Sequence, residues 1–133
     1  MNTLVHESLS KAIIGAAIQV LNTLKPGLDE KIYENALVIE LRKQGCQVEQ
    51  QRQFAVRYDG QIVGMLVPDL IINDAVIVDA KVVEDFNQNH VAQMLGYLAI
   101  TGFNLALLVN FKHARLAWKR VVKQESVPVE VVL

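Results

Sequence analysis

At Gly45 the hydrophobic pattern of the chain changes period, and that switch limits the fold more than any other feature. Before it, apolar residues recur at helical spacing. Leu9, Ile13, Ala16, Ala17, Val20, Leu21 and Leu24 form one run, and Ile32, Ala36, Leu37, Ile39 and Leu41 a second. Lys25-Pro26-Gly27 separates the two. Ser8 or Ser10 is expected to cap the first helix and Asp29 the second, which runs to about Gln44 and closes on Gly45 as a left-handed C-cap. After Gly45 the period drops to two: Val48, Gln50, Arg52, Phe54, Val56 and Tyr58 alternate as in a strand.

Asp59-Gly60 is a two-residue hairpin signal, so Ile62 to Ile72 reads as the returning strand. Asn73-Asp74 turns the chain again into a buried strand from Ala75 to Val83. Phe86 to Thr101 is helical and ends at Gly102, and Asn104–Phe111 and Leu116–Val122 read as two more strands. The order α-α-β-β-β-α-β-β specifies an α/β (α+β) fold, a mixed sheet with helices packed on it. With 133 residues, 52% of them hydrophobic and 20% charged, the chain has material for one folded domain and is too apolar to be disordered.

Composition excludes several functions. One cysteine, Cys46, permits neither an internal disulfide nor a thiolate zinc site, and three scattered histidines argue against a His-rich one. The apolar stretch from Ala12 to Leu21 is too short for a bilayer, which takes ~20 residues. His6 and Glu7 stand where a signal peptide carries positive charge. The expectation is a cytoplasmic protein with no membrane partner. A net charge of −1 excludes a wholesale basic coat but not a basic patch.

Three charges stand where apolar residues belong. Asp69 lies between Met65-Leu66-Val67-Pro68 and Leu70-Ile71-Ile72, while Asp79 and Lys81 interrupt Val76 to Val83. Residues two apart on a strand share a face, so Asp79 and Lys81 project together. Burying such groups alone costs several kcal/mol, on the order of a lost ion pair. A mutual ion pair, a metal ion or a cleft open to water would offset that cost. The plainer alternative is the solvent end of an edge strand, with Asp69 a turn residue. Hard divalent cations take one or two carboxylates plus carbonyl, water and phosphate oxygens, which makes Ala80 a candidate carbonyl ligand.

Pro68-Asp69, a nine-residue gap and Asp79-Ala80-Lys81 resemble the PD-(D/E)XK nuclease superfamily motif. Gly27-Leu28-Asp29-Glu30-Lys31-Ile32-Tyr33 is similar to the motif of the GxxExxY family within it. Gln93 and Tyr97, four apart on one helical face, resemble the Q-x-x-x-Y motif of RecB-type and lambda-exonuclease-like nucleases. The resemblance runs from about Leu9 to Val121. It implies a restriction-endonuclease-like αβββαβ core, a mixed central sheet flanked by helices, with an extra N-terminal helix. It further implies Mg²⁺ or Mn²⁺ held by Asp69, Asp79 and the Ala80 carbonyl, with Glu30 bound directly or through water. Lys81 would orient the nucleophile, Gln93 approach the active site and Tyr97 contact substrate or backbone. Glu34, one turn after Glu30, is the alternative helix carboxylate. Many relatives carry glutamate where this chain has Asp79.

The implied activity is phosphodiester hydrolysis on nucleic acid, DNA before RNA. Lys112, Arg115 and Lys119 are the expected phosphate contacts, with Arg115 and Lys119 on one strand face, Arg120 on the other, and Trp118 placed to stack on a base. Basic residues also protect strand edges, which is the plainer alternative. The contrasting reading of the whole chain is a nuclease fold kept for binding or assembly without turnover. The apolar N-terminal helix and the segment Val127 to Leu133 exceed what one small core covers, so a homodimer is expected.

Overall fold

The protein is described by a computed structural model over residues 5–123. Three helices and seven strands follow in the order α1 (Glu7–Leu24), α2 (Glu30–Lys43), β1 (Val48–Gln50), β2 (Phe54–Tyr58), β3 (Gln61–Leu66), β4 (Leu70–Ile72), β5 (Val76–Lys81), α3 (Gln88–Thr101), β6 (Leu105–Asn110) and β7 (Ala117–Val122). Five strands make the central sheet in the order β1-β4-β5-β6-β7, and β2-β3 stand apart as a two-stranded ribbon. Only β5 and β6 run parallel, joined by the α3 crossover; the other pairs are antiparallel. Setting α1, the β2-β3 ribbon and β7 aside, this is the αβββαβ core within a mixed sheet.

Alternation along β5 and β6 sorts the core into two layers. Val76, Val78, Leu105, Leu107 and Val109 face α1 and α2, where Ile13, Ala17, Leu37 and Leu41 cover them. Ile77, Ala106 and Leu108 face the other way, against Met94 and Leu98 of α3. Tyr33 and Phe111 stack at 4.8 Å between ring centroids and close the α2 layer over the sheet's end. Six residues of α1 are buried, where the helix packs on α2 and against β6. The segment Val127–Leu133, invoked for a homodimer, lies outside the described residues.

Several boundaries differ from the sequence reading. Neither Ser8 nor Ser10 caps α1; His6 holds the N-cap position, and Ser10 Oγ donates instead to the Glu7 carbonyl at 2.9 Å. Asp29 is the N-cap of α2 but makes no side-chain bond. Gly45, at φ 87, lets the Cys46 N–H close on the Leu41 carbonyl. The two long strands expected from Val48 to Tyr58 and from Ile62 to Ile72 each break. Gln51, at φ 59, turns the chain out of the central sheet, and Pro68 on the return side lacks the N–H a ladder needs. The inner halves become β1 and β4 of the sheet, and the outer halves the β2-β3 ribbon around Asp59-Gly60, both with positive φ. Among the described residues no helix is long and apolar enough to cross a membrane.

Candidate active site

The three misplaced charges meet at the C-terminal end of β5. Asp79 and Lys81 both lie on the α3 face of that strand, and Lys81 Nζ stands 2.8 Å from Asp79 Oδ2. The Asp79 side chain is 5% exposed, which rules out the plain solvent-end alternative.

Asp69 arrives from the neighbouring strand through a gap in the ladder. Backbone groups along β5 point alternately to its two neighbours. The Lys81 carbonyl accepts from Phe111 N–H on the β6 side, so the Ala80 N–H and carbonyl face β4. Extending the Leu70–Val78 register by two places sets Pro68 opposite Ala80, and proline has no N–H to donate. The Asp69 side chain fills part of that opening, where its Oδ2 accepts from Ala80 N–H at 3.1 Å. The Ala80 carbonyl points into the same gap.

Electrostatics record how tightly the carboxyls are gathered. Burial pushes the Asp69 carboxyl up to about 8, reinforced by the negative charge of Asp79 and a hydrogen bond to it. Burial also raises Glu30 at the start of α2, opposed by the nearby Lys81 ammonium and aided by Asp79. For Lys81, burial favours loss of the proton, but the hydrogen bond and charge of Asp79 outweigh it and hold its pKa above the usual value. Glu30, exposed at the start of α2, thus lies near enough to Asp79 and Lys81 to feel their charges. Glu34 is 3% exposed; its charge adds to the rise of Asp69, and its oxygens are bonded by Lys31 Nζ at 2.8 Å, Gln50 Nε2 at 2.6 Å and Gln51 Nε2 at 3.2 Å.

From α3, Gln93 Oε1 accepts from Lys81 Nζ at 3.4 Å, and Gln93 Nε2 donates to the Tyr97 hydroxyl at 3.1 Å. The Tyr97 phenol is itself raised by burial and by Asp79 and Asp69. The i, i+4 spacing therefore builds a relay from tyrosine to glutamine to lysine. His90 closes the α3 capping box with Asn87.

The basic residues do not form the single face expected. Arg115 precedes β7 and lines a hollow of about 320 Å³ with α1 residues Ile18 and Leu21, beside Trp118. Lys119 lines a different hollow, about 440 Å³, with Phe86 and Val91 on the α3 side. Arg115 and Lys119 are separated because Arg115 lies in the loop before β7, where strand alternation does not apply. Arg120 is structural, tying β7 to Ser10 Oγ at 2.7 Å and the Val5 carbonyl at 2.6 Å. Lys112 follows β6 at the active-site end, 3.9 Å from exposed Glu84.

Asn110 escaped the sequence reading. It is 2% exposed, and its amide accepts from Val83 N–H at 3.1 Å and Lys112 N–H at 3.1 Å and donates to the Val83 carbonyl at 2.7 Å. It pins the chain just past Lys81. A polar residue in the apolar run Leu105–Phe111 was the available signal, the same kind that exposed Asp79.

As a divalent-cation site the arrangement offers two converging carboxylates and the Ala80 carbonyl. No group of three or more His, Cys, Asp or Glu side chains closes on one point among the described residues. That set suits Mg²⁺ or Mn²⁺, which keep several waters, and is too sparse for an all-protein cage.

No curated protein matches the sequence. The solved structure of SSO0001 is similar over 91% of this chain, with a TM-score of 0.58 and 16% identity; the chain spans 61% of that protein's length. LHK-Exo, an alkaline exonuclease from Laribacter hongkongensis, is similar in its complex with dAMP over 86% of this chain and 83% of its own, with a TM-score of 0.50 and 12% identity. These structural likenesses show a shared fold. A family model of the PD-(D/E)XK nuclease superfamily matches residues 7–121. With the acid pair and lysine of that signature converging on adjoining strands, the chain belongs to the PD-(D/E)XK nuclease superfamily.

Proposed function

We propose that the protein is a divalent-metal-dependent nuclease that hydrolyses phosphodiester bonds of nucleic acid, DNA before RNA. The observation that carries this reading is the Asp69–Asp79 pair. Buried Asp79 and half-buried Asp69 share one opening, and with Asp69 raised to about 8 they form an unfavourable arrangement that a dication relieves.

Asp69, Asp79 and the Ala80 carbonyl would hold Mg²⁺ or Mn²⁺, with Glu30 reaching it through water. The ion, when bound, supplies Lewis-acid stabilisation of phosphoryl charge and lowers the pKa of water. The chain's own groups do the rest. Lys81 keeps its proton, and of its three N–H donors two are engaged by Asp79 and Gln93. The third is free to bond a phosphoryl oxygen or orient the attacking water, where it stabilises charge as it develops. Gln93 holds Lys81 in that direction because Tyr97 fixes the side of its amide that faces the lysine. Of the three expected phosphate contacts Lys112 keeps that role, since Arg115 and Lys119 line separate hollows away from it.

One observation favours the second reading, a catalytically silent binding module: Lys81 already neutralises Asp79 within the chain itself. Calorimetric titration with Mn²⁺ or Mg²⁺, wild type beside Asp79→Ala, with cleavage of mixed DNA and RNA substrates, separates the two. Binding and cleavage that both vanish in the variant support the nuclease. A wild type that binds neither ion with nucleic acid present overturns it in favour of the silent module.

A further inference from the structure

Gln51 is a non-glycine residue held in the left-handed region, at φ 59, where β1 leaves the central sheet. Such a conformation is disfavoured for a side chain with a Cβ and persists where surrounding bonds enforce it. Here the bonds are visible at both ends of the residue. The backbone N–H donates to the Asp69 carbonyl at 3.0 Å, and the side-chain Nε2 donates to the Glu34 carboxylate, 3.2 Å from Oε2. Successive side chains of a regular strand point to opposite faces, so Gln50 and Gln51 could not both reach Glu34 from an extended chain. The positive φ brings them together: Gln50 Nε2 lies 2.6 Å from the same oxygen. Gln51 thereby joins α2 to the Asp69 backbone just before β4, beside the Gln50 bond to the same carboxylate.

Glu34 stands one helical turn after Glu30, so whatever fixes Glu34 fixes the start of α2 and the carboxylate it carries. We infer that Gln51 is a positioning residue that holds Glu30 beside Asp79 and Lys81 by tying Glu34 of α2 to the Asp69 backbone. This rests on the nuclease reading of the site.

The test is a double-variant cycle on Mn²⁺ affinity, measured by calorimetry, with Gln51→Gly and Glu30→Ala. Glycine accepts φ 59 and keeps the N–H to Asp69, so only the side-chain tie is lost. The expected melting temperature stays within about 3 °C of wild type, while Mn²⁺ affinity falls about tenfold, the scale of outer-shell ligand support. In the Glu30→Ala background Gln51→Gly should weaken binding no further, because it acts through Glu30. Gln51→Asn, which tolerates the same backbone but is one methylene too short for Glu34, should match Gln51→Gly. Unchanged affinity in Gln51→Gly, or losses that add in the double variant, overturn the inference and leave the nuclease intact. A wild type that binds no Mn²⁺ overturns both.

Discussion

Asp69 accepts a hydrogen bond from the Ala80 N–H at 3.1 Å, across the place where Pro68 cannot continue the β4·β5 ladder. A side chain thus replaces a strand bond, and the replacement brings a second, half-buried carboxyl against Asp79. Function and stability are opposed at that point. Asp69→Asn keeps an acceptor for Ala80 and removes the like charge, so the metal-free protein should melt higher than wild type. The same variant should lose Mn²⁺ binding and cleavage. Thermal melts in chelator beside calorimetry check both; a variant that melts lower would show that the acid pair carries no strain.

The acid pair also sets a pH dependence. Asp69 is raised from 3.8 to about 8 in the folded protein, by burial first and Asp79 second. A carboxyl raised on folding stabilises fully below its unfolded value and loses that contribution as pH climbs through its folded value. Metal-free wild type should therefore lose stability relative to Asp69→Asn between about pH 4 and about pH 8. The difference in melting temperature between the two proteins, followed across that window in chelator, gives the result directly. Saturating Mg²⁺ should flatten the wild-type curve, since a dication favours the ionised pair.

Lys81 separates binding from turnover. Its ammonium offsets the charge of Asp79, so Lys81→Ala leaves the carboxylates more negative and should bind Mn²⁺ as well as wild type or better. Cleavage should nevertheless fall about 10²- to 10³-fold, the loss typical of a donor aimed at developing charge. Calorimetry and single-turnover cleavage on one preparation distinguish this from a ligand role, in which affinity and rate would fall together.

Much of this site was legible because its residues violate their local pattern. Asp79 and Lys81 break an apolar strand two residues apart, and Gln93 and Tyr97 lie four apart on a helix; either spacing puts a pair on one face whatever the rest of the chain does. The choice between Glu30 and Glu34 was not legible. The two share a side of α2, and only the arrival of Gln50 and Gln51 at Glu34 decides which is consumed. That arrival depends on the positive φ of Gln51, which no composition rule assigns to glutamine. The same φ splits the long hairpin, while the alternation from Val48 to Tyr58 runs through the break unchanged. For the basic residues, strand alternation was applied to Arg115, which lies in a loop.

The separation of those basic residues makes the substrate path testable. Lys112 follows Phe111, whose N–H bonds the Lys81 carbonyl, so it stands at the active-site end of the sheet. Lys119 is on the α3 flank, beside Phe86 and Val91, with the helix between it and Gln93. A strand that crosses Asp79 and Lys81 toward this end of the sheet is expected to pass Lys112 rather than Lys119. Its exposed partner Glu84, at 3.9 Å, is worth little and does not hold Lys112 back. Lys112→Ala should therefore weaken binding of a short DNA duplex to the cleavage-deficient Asp79→Ala protein. It should also reduce the slope of log affinity against log salt by about 1. Lys119→Ala should leave that slope unchanged. Fluorescence-anisotropy titrations from low to moderate salt measure both, and a slope that falls only with Lys119→Ala would place the nucleic acid along α3 instead.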